Sequence, residues 1–274
     1  MISANITSLL ATYIDALHIL HHHGVLDGYG HLSVRHPDNP PTFFMMRQVA
    51  PALVSGLDDI GEYRVSDAEP VHPDTPAAPI ERFIHSELLK RYSDVNVVLH
   101  GHPNELIACS IAPEARLKPV IHMAPFLGSN VPIFDIAALY QPSDTQDFLV
   151  RNQRLGAALA AEFGGSSDSP YPPHNLVLMA SHGFAAVARD IKLATYMGVY
   201  AVANARVQSQ ALQLQQVAGM GHAPRAAGDD IVYLDERQIR DSWETEIRTV
   251  EKPWGFWVRE VRVDPLYVNE LGRE

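Results

Sequence analysis

The chain has 274 residues, 46% of them hydrophobic and 19% charged, with a formal net charge of −11. That length suits one large or two small domains, the apolar content supports a packed core rather than disorder, and the negative charge argues against nucleic acid as a main partner. One cysteine, Cys109, excludes an intrachain disulfide framework and fits a reducing compartment, no run reaches the roughly 20 apolar residues that span a bilayer, and no signal-peptide pattern heads the chain; the reading is a soluble cytoplasmic protein with no membrane partner.

Residues 3–23 carry a helical stripe of Leu9, Tyr13, Ala16, Leu17 and Leu20, and Gly24 stands where a helix of that length ends. His21, His22 and His23 fall in its last turn. A metal tract is one reading; exposed imidazoles beside the negative end of the helix dipole are the preferred one. Leu26 to Arg35 reads as a glycine-containing turn running into a strand, Thr42 to Arg47 as a second strand and Tyr63-Arg64-Val65 as a third. A proline-rich loop, Pro70 to Pro79, precedes a helix from Ile80 to Arg91 with Ile80, Phe83, Ile84 and Leu88 on its apolar side.

The run from Asp94 to His100 is a buried strand by composition. Side chains two apart on a strand share a face, so His100 and His102 leave its end on one side with Gly101 between them. Two imidazoles so placed are half of a metal site. A helix from Asn104 to Ala112, capped by Asn104, comes next. Val120 to Ile133 is loop and strand, Arg151 to Phe163 is a helix, and Asn175 to Gly183 is a strand that brings up His182. Phe184 to Val187 returns beside it. Asp190 caps a long helix to about Gln216, Gly219 to Gly228 is a loop of small residues, and Asp235 and Gln238 form a capping box for a last helix carrying Ile239, Trp243 and Ile247. Strands mixed with helices, without a repeat or a linker, predict one α/β sandwich over residues 1–274 with a C-terminal extension from about residue 217.

A catalytic metal site keeps three protein ligands and one open position. His182 ends an apolar strand and is followed by glycine, as His100 is, which makes it the better third ligand; His122 is a rival without that context. Glu81 and His85 are one helical turn apart and share a face. A carboxylate beside a cation is a candidate acid–base group, although Glu81 equally suits the positive end of a helix. Arg47 and Arg82 read, by themselves, as surface charges. Trp254, Phe256 and Trp257 read as a cover for an aromatic ligand or, more commonly for a tryptophan pair, as core or subunit-contact residues.

Taken together, Glu81-x-x-x-His85, Asp94 to Pro103 with its His-Gly-His step, and Ser181-His182-Gly183 resemble the class II aldolase/adducin family, and Gly30-His31-Leu32-Ser33-Val34-Arg35 resembles its glycine-turn strand. The resemblance implies an α/β/α sandwich around a central, mainly antiparallel sheet, and often a homotetramer with sites near subunit contacts. It makes His100, His102 and His182 the ligands of a divalent metal (zinc, manganese, iron or cobalt), with Glu81 as catalytic carboxylate or further ligand and His85 beside it. His31 stands where sugar-phosphate aldolases of the family carry asparagine, and Met45 to Pro51 replaces their phosphate-binding Ser-Gly element. With Arg47 and Glu81-Arg82-Phe83-Ile84-His85, the chain is similar to the aromatic decarboxylase branch, which acts on hydroxylated pyridine dicarboxylates, dihydroxyphthalates and dihydroxycumates. That likeness implies a small aromatic carboxylate as substrate, bound by Arg47, His31, Ser33 and Arg82, with Tyr267 reaching a neighbouring site. Retro-aldol cleavage, non-haem iron oxygenation and a non-enzymatic adducin-like module are the alternatives, in that order.

Overall fold

The computed structural model describes residues 4–73, 75, 78–112, 115–166, 168–219 and 231–272. The small-residue loop expected over Gly219 to Gly228 therefore lies, from residue 220, outside the described residues, as do residues 74, 76 and 77 of the proline-rich loop. In chain order come α1 (Ala4–His22), β1 (His31–Arg35), β2 (Thr42–Met46), β3 (Ile60–Arg64), α2 (Arg82–Arg91), β4 (Val97–Gly101) and α3 (Asn104–Ile111). They are followed by β5 (Ile133–Phe134), α4 (Gln153–Glu162), β6 (Leu176–Met179), β7 (Gly183–Ala188), α5 (Ile191–Gly219), α6 (Glu236–Glu246) and α7 (Glu251–Arg262).

The strands form one seven-stranded sheet in the order β3-β2-β1-β4-β7-β6-β5, antiparallel except for the β5–β6 pair. Helices α1, α3 and α5 pack on one side; α2 and α4 pack together on the other. Strand alternation sends Leu99 towards α5, where its side chain meets Gly198, and His100 towards α2. The α/β sandwich read from the sequence is thus the observed architecture. No helix among the described residues is long and apolar enough to cross a membrane.

Helix α1 is a core element rather than a surface one. Leu10, Tyr13, Ile14, Leu17 and Leu20 are all buried, each side chain contributing roughly 1.5–3 kcal/mol of apolar burial. Tyr13 also ties two strands: its hydroxyl donates to Leu32 O at 2.7 Å and accepts from Met46 N–H at 2.8 Å. Asp190 accepts from Leu193 N–H at the start of α5, and Asp235 with Gln238 closes the capping box of α6 as expected.

Four expectations need correction. Helix α2 begins at Arg82, not Ile80, because Glu81 has non-helical angles (φ −86°, ψ 19°) and makes no capping bond. Pro103, not Asn104, occupies the cap position of α3; its carbonyl takes the Leu106 and Ile107 amides. The helix with Trp243 is not the last, since α7 follows and buries Trp254 and Trp257 against α1 and α5 while Phe256 stays exposed. His21 and His23 are not free helix-end charges. His21 Nδ1 lies 2.9 Å from the Tyr267 hydroxyl and His23 Nε2 3.4 Å from Glu260.

Candidate metal centre and its cleft

The register of the sheet builds the centre. His31 on β1 pairs directly with His100 on β4, so both rings lie side by side on the α2 face, 4.9 Å between centroids. Gly101 pairs with Phe184, and the β6–β7 turn then brings His182 alongside. Ser181 sits in that turn at φ 57°, a left-handed conformation that few residues other than glycine adopt without cost. His102 lies one residue beyond β4, yet its Nε2 is 2.9 Å from that of His100. Glu81, at the entry of α2, brings Oε2 to 3.4 Å from Nε2 of both His100 and His182. One ligand atom from each of Glu81, His100, His102 and His182 falls within 4.8 Å of all the others.

The backs of the rings decide what the fronts can do. His100 Nδ1 is 2.8 Å from Phe184 O, a pure acceptor, so that nitrogen carries the proton and Nε2 is left a lone pair. His102 Nδ1 is 3.1 Å from the Asp27 carboxylate, with the same result. Two lone pairs therefore converge beside a carboxylate, a donor set that fits a divalent cation of the zinc or first-row transition-metal kind. Asp27 also accepts from the Tyr29 and Gly30 amides, and these bonds together with His102 outweigh its burial and hold its carboxyl below the usual range. Sequence reading missed Asp27. Its one signal is a short acidic side chain at a glycine-flanked turn before a histidine strand.

Burial pushes the Glu81 carboxyl up, but His100 and His182 together pull harder and hold it well below the ordinary carboxylate range. Its other oxygen accepts from Val150 N–H at 3.0 Å. Burial lowers His100 to about 4, against the pull of Glu81, and lowers His85 to about 3, helped by the neighbouring His100. His31 is likewise held far below the usual imidazole value by burial, then by His85 and His100.

A cleft of about 760 Å³ opens over the centre, with Glu81, His102 and His182 in its wall together with His31 and Arg47. Arg47 Nε is buried there without a hydrogen-bond partner. The remaining wall is largely apolar, with Met46, Val49, Ile80, Phe148 and Leu149.

The other expected site residues lie elsewhere. His85 is fully buried behind His31, its Nε2 2.7 Å from His31 Nδ1 and its Nδ1 2.7 Å from Ser33 Oγ. His85 and Ser33 thus hold His31 in place and do not line the cleft. Arg82 turns away to Ala68 O and the Glu69 carboxylate, with its guanidinium over the Phe83 ring. Tyr267 rests on the end of α1 beside His18 and His21, not in the cleft. His122 is exposed and faces Glu246, so it is no rival to His182. Trp254 and Trp257 are core residues and cover no ligand in this cleft.

Known proteins resemble this chain in sequence and in fold. The Class II Aldolase and Adducin N-terminal domain matches residues 11–209. The chain is 43% identical to Decarboxylase tropJ of Talaromyces stipitatus over 258 residues, covering 94% of this chain and 96% of that one. It is 26% identical to the 3,4-dihydroxyphthalate decarboxylase of Arthrobacter keyseri, with 87% and 92% of the two chains covered. Among solved structures, an aldolase II superfamily protein from Pseudomonas syringae superposes with a TM-score of 0.71 at 17% identity, over 97% of this chain and 96% of that one, a likeness of fold. Matched by that family model over residues 11–209, more than half of its length, this chain belongs to the class II aldolase and adducin family.

Proposed function

We propose that the protein is a metal-dependent, non-oxidative decarboxylase of a hydroxylated aromatic or pyridine carboxylate. The observation that carries this reading is Arg47, a half-buried arginine in the wall of the same cleft as the candidate ligands, whose Nε has no hydrogen-bond partner. An arginine so placed is a carboxylate receptor, since its planar fork matches a carboxylate with two parallel bonds. The 43% identity to a protein named as a decarboxylase, and the name 3,4-dihydroxyphthalate decarboxylase on a second relative, support the same reaction class.

His100, His102 and His182, with Glu81 as a fourth donor or as the base, would hold the metal, which would supply Lewis-acid stabilisation of negative charge on the substrate's oxygens. Arg47 anchors a carboxylate, and the apolar wall keeps water from the reacting carbon. Glu81 acts from its ionised form, with one oxygen held by the Val150 N–H. It takes the ring hydroxyl's proton as substrate seats. The bond from ring carbon to carboxylate carbon then breaks, carbon dioxide leaves, the electron pair stays on the ring, and Glu81 returns the proton to that carbon. His85 and Ser33 act through His31, which they orient, and touch no reacting atom. On this reading the enzyme is a homo-oligomer, four subunits by analogy with its family, acting in the cytoplasm.

The test is carbon dioxide release from a panel of ortho-hydroxy aromatic acids by metal-loaded protein with oxygen excluded. At least one acid is expected to turn over, Glu81→Gln to retain metal but lose turnover by about 100-fold or more, and Arg47→Ala to raise KM. Release that requires oxygen, near-normal turnover in Glu81→Gln, or cleavage confined to hydroxy-carbonyl sugar phosphates would overturn the reading.

A further inference from the structure

The segment leading into α4 contains a residue that the reaction chemistry does not call for. Phe148 has φ 65°, the left-handed region in which a bulky side chain is a genuine outlier. A turn that needed only this backbone shape would be made with glycine at no steric cost. Here a large ring is placed instead, and the surroundings hold it there. Phe148 N–H donates to the Tyr140 hydroxyl at 2.7 Å, and the Tyr140 ring packs against the core. On one side Asp147 is clamped by Arg151, whose Nε lies 2.7 Å from Asp147 Oδ2. Two residues on, Val150 N–H donates to Glu81. The ring at 148 is therefore tied to the carboxylate of the metal centre through two peptide units.

Phe148 lines the same cleft as Arg47, Glu81 and His182, and 38% of it remains exposed there. Its neighbour Asp147 also faces the cleft, but Arg151 pairs with it, so no unpaired charge stands beside the ring. Arg47 offers a bond to a carboxylate, and Phe148 offers a flat apolar face.

We propose that Phe148 is the specificity-determining residue of the cleft: its ring stacks on the substrate ring and selects aromatic over aliphatic hydroxy acids. This rests on the decarboxylase reading for the orientation of the ligand, not for the recognition of its ring. A planar conjugated ring gains from an offset or edge-on aromatic neighbour beyond the area it buries; an open-chain hydroxy acid does not.

The test is calorimetric titration of metal-loaded protein with 2,3-dihydroxybenzoate and, separately, lactate. Wild type is expected to prefer the aromatic acid. Phe148→Leu is expected to bind it about tenfold more weakly, with lactate affinity unchanged, and Phe148→Trp to keep both affinities. Phe148→Gly relieves the backbone conformation while deleting the ring, so it is expected to melt no lower than wild type and to show the same selective loss. Wild-type affinity for the aromatic acid in the leucine or glycine variant, equal losses for both acids, or a wild-type preference for lactate would each overturn the proposal. If wild type binds the aromatic acid selectively but releases no carbon dioxide, the decarboxylase reading fails and the ring-selecting role stands. If turnover is intact and Phe148→Leu leaves KM unchanged, the ring-selecting role fails alone.

Discussion

At the scale of single residues, His102 shows how a ligand is made from an ordinary ring. Its position after Gly101 puts it near His100, but Asp27 decides which nitrogen carries the proton. A carboxylate behind a ligating imidazole also raises its basicity, and losing such a partner commonly costs 10–100-fold in metal affinity. Asp27→Asn is therefore expected to bind metal about 10–100-fold more weakly with the fold intact, as read by competition with a chelator; unchanged affinity would remove Asp27 from the site. None of this was legible locally, because Asp27 and His102 are 75 positions apart and only the β1–β4 pairing joins their neighbourhoods. The two arginines make the same point. Arg47 and Arg82 read alike in sequence, yet one faces the cleft with an unsatisfied nitrogen and the other is consumed by Ala68 and Glu69.

At the scale of elements, two glycines let backbone segments come together where the ligands emerge: β7 against β4, and β4 against the connection after α1. A Cβ on Gly183 would collide with Gly101 O, and one on Gly101 would collide with Val25 O. Both obstacles are backbone, which cannot rotate aside as a side chain can. Gly183→Ala must therefore push β7 from β4 and carry His182 with it. It is expected to lose roughly 1–3 kcal/mol of stability and to release metal more readily, as read by urea unfolding and metal analysis of one preparation. Full stability and full metal content would show that the strands have slack. The His-Gly-His step is thus a packing device as well as a ligand pair, a fact hidden from one strand's sequence because Gly101 makes room for the backbone that follows α1. Other elements were plain, such as the α6 capping box, whose signal lies within four residues. Helix α7 is not legible in the sequence, because Pro253 and Gly255 interrupt its pattern. Proline is tolerated in the first turn, where its missing N–H would have no helical partner. The burial of Trp254, Trp257 and Val261 along one face offsets the glycine.

At the scale of the whole molecule, the site is a cost that the fold carries. His31, His85 and His100 are buried with their imidazole pKa values lowered, His85 to about 3 and His100 to about 4, mainly by desolvation. In the unfolded chain each would titrate near 6.5. Between these values the unfolded state binds more protons than the folded state, so stability is fully present above about pH 6.5 and is lost as pH falls towards the folded values. Each such group removes roughly 1.4 kcal/mol per pH unit across its window. Chelator-treated protein is expected to show a urea midpoint that falls steadily from pH 7 to pH 5, and the decline should flatten when His85 is replaced by Gln. A midpoint independent of pH over that range would mean that these rings are not buried neutral.

The sequence by itself determined the α/β class, most helix and strand positions, and the presence of a paired-histidine step, because hydrophobic period and cap chemistry act over a few residues. It also carried the family resemblance that pointed to His182 and Glu81. Only the tertiary structure decided which side chains meet. It brought four donor residues from the entry of α2, the end of β4 and the β6–β7 turn to one point, moved His85 and Ser33 behind His31, sent Arg82 and Tyr267 elsewhere, and added Asp27 and Phe148 to the cleft. The physical reason is that strand register and backbone clearance between strands are properties of pairs of segments far apart in the chain.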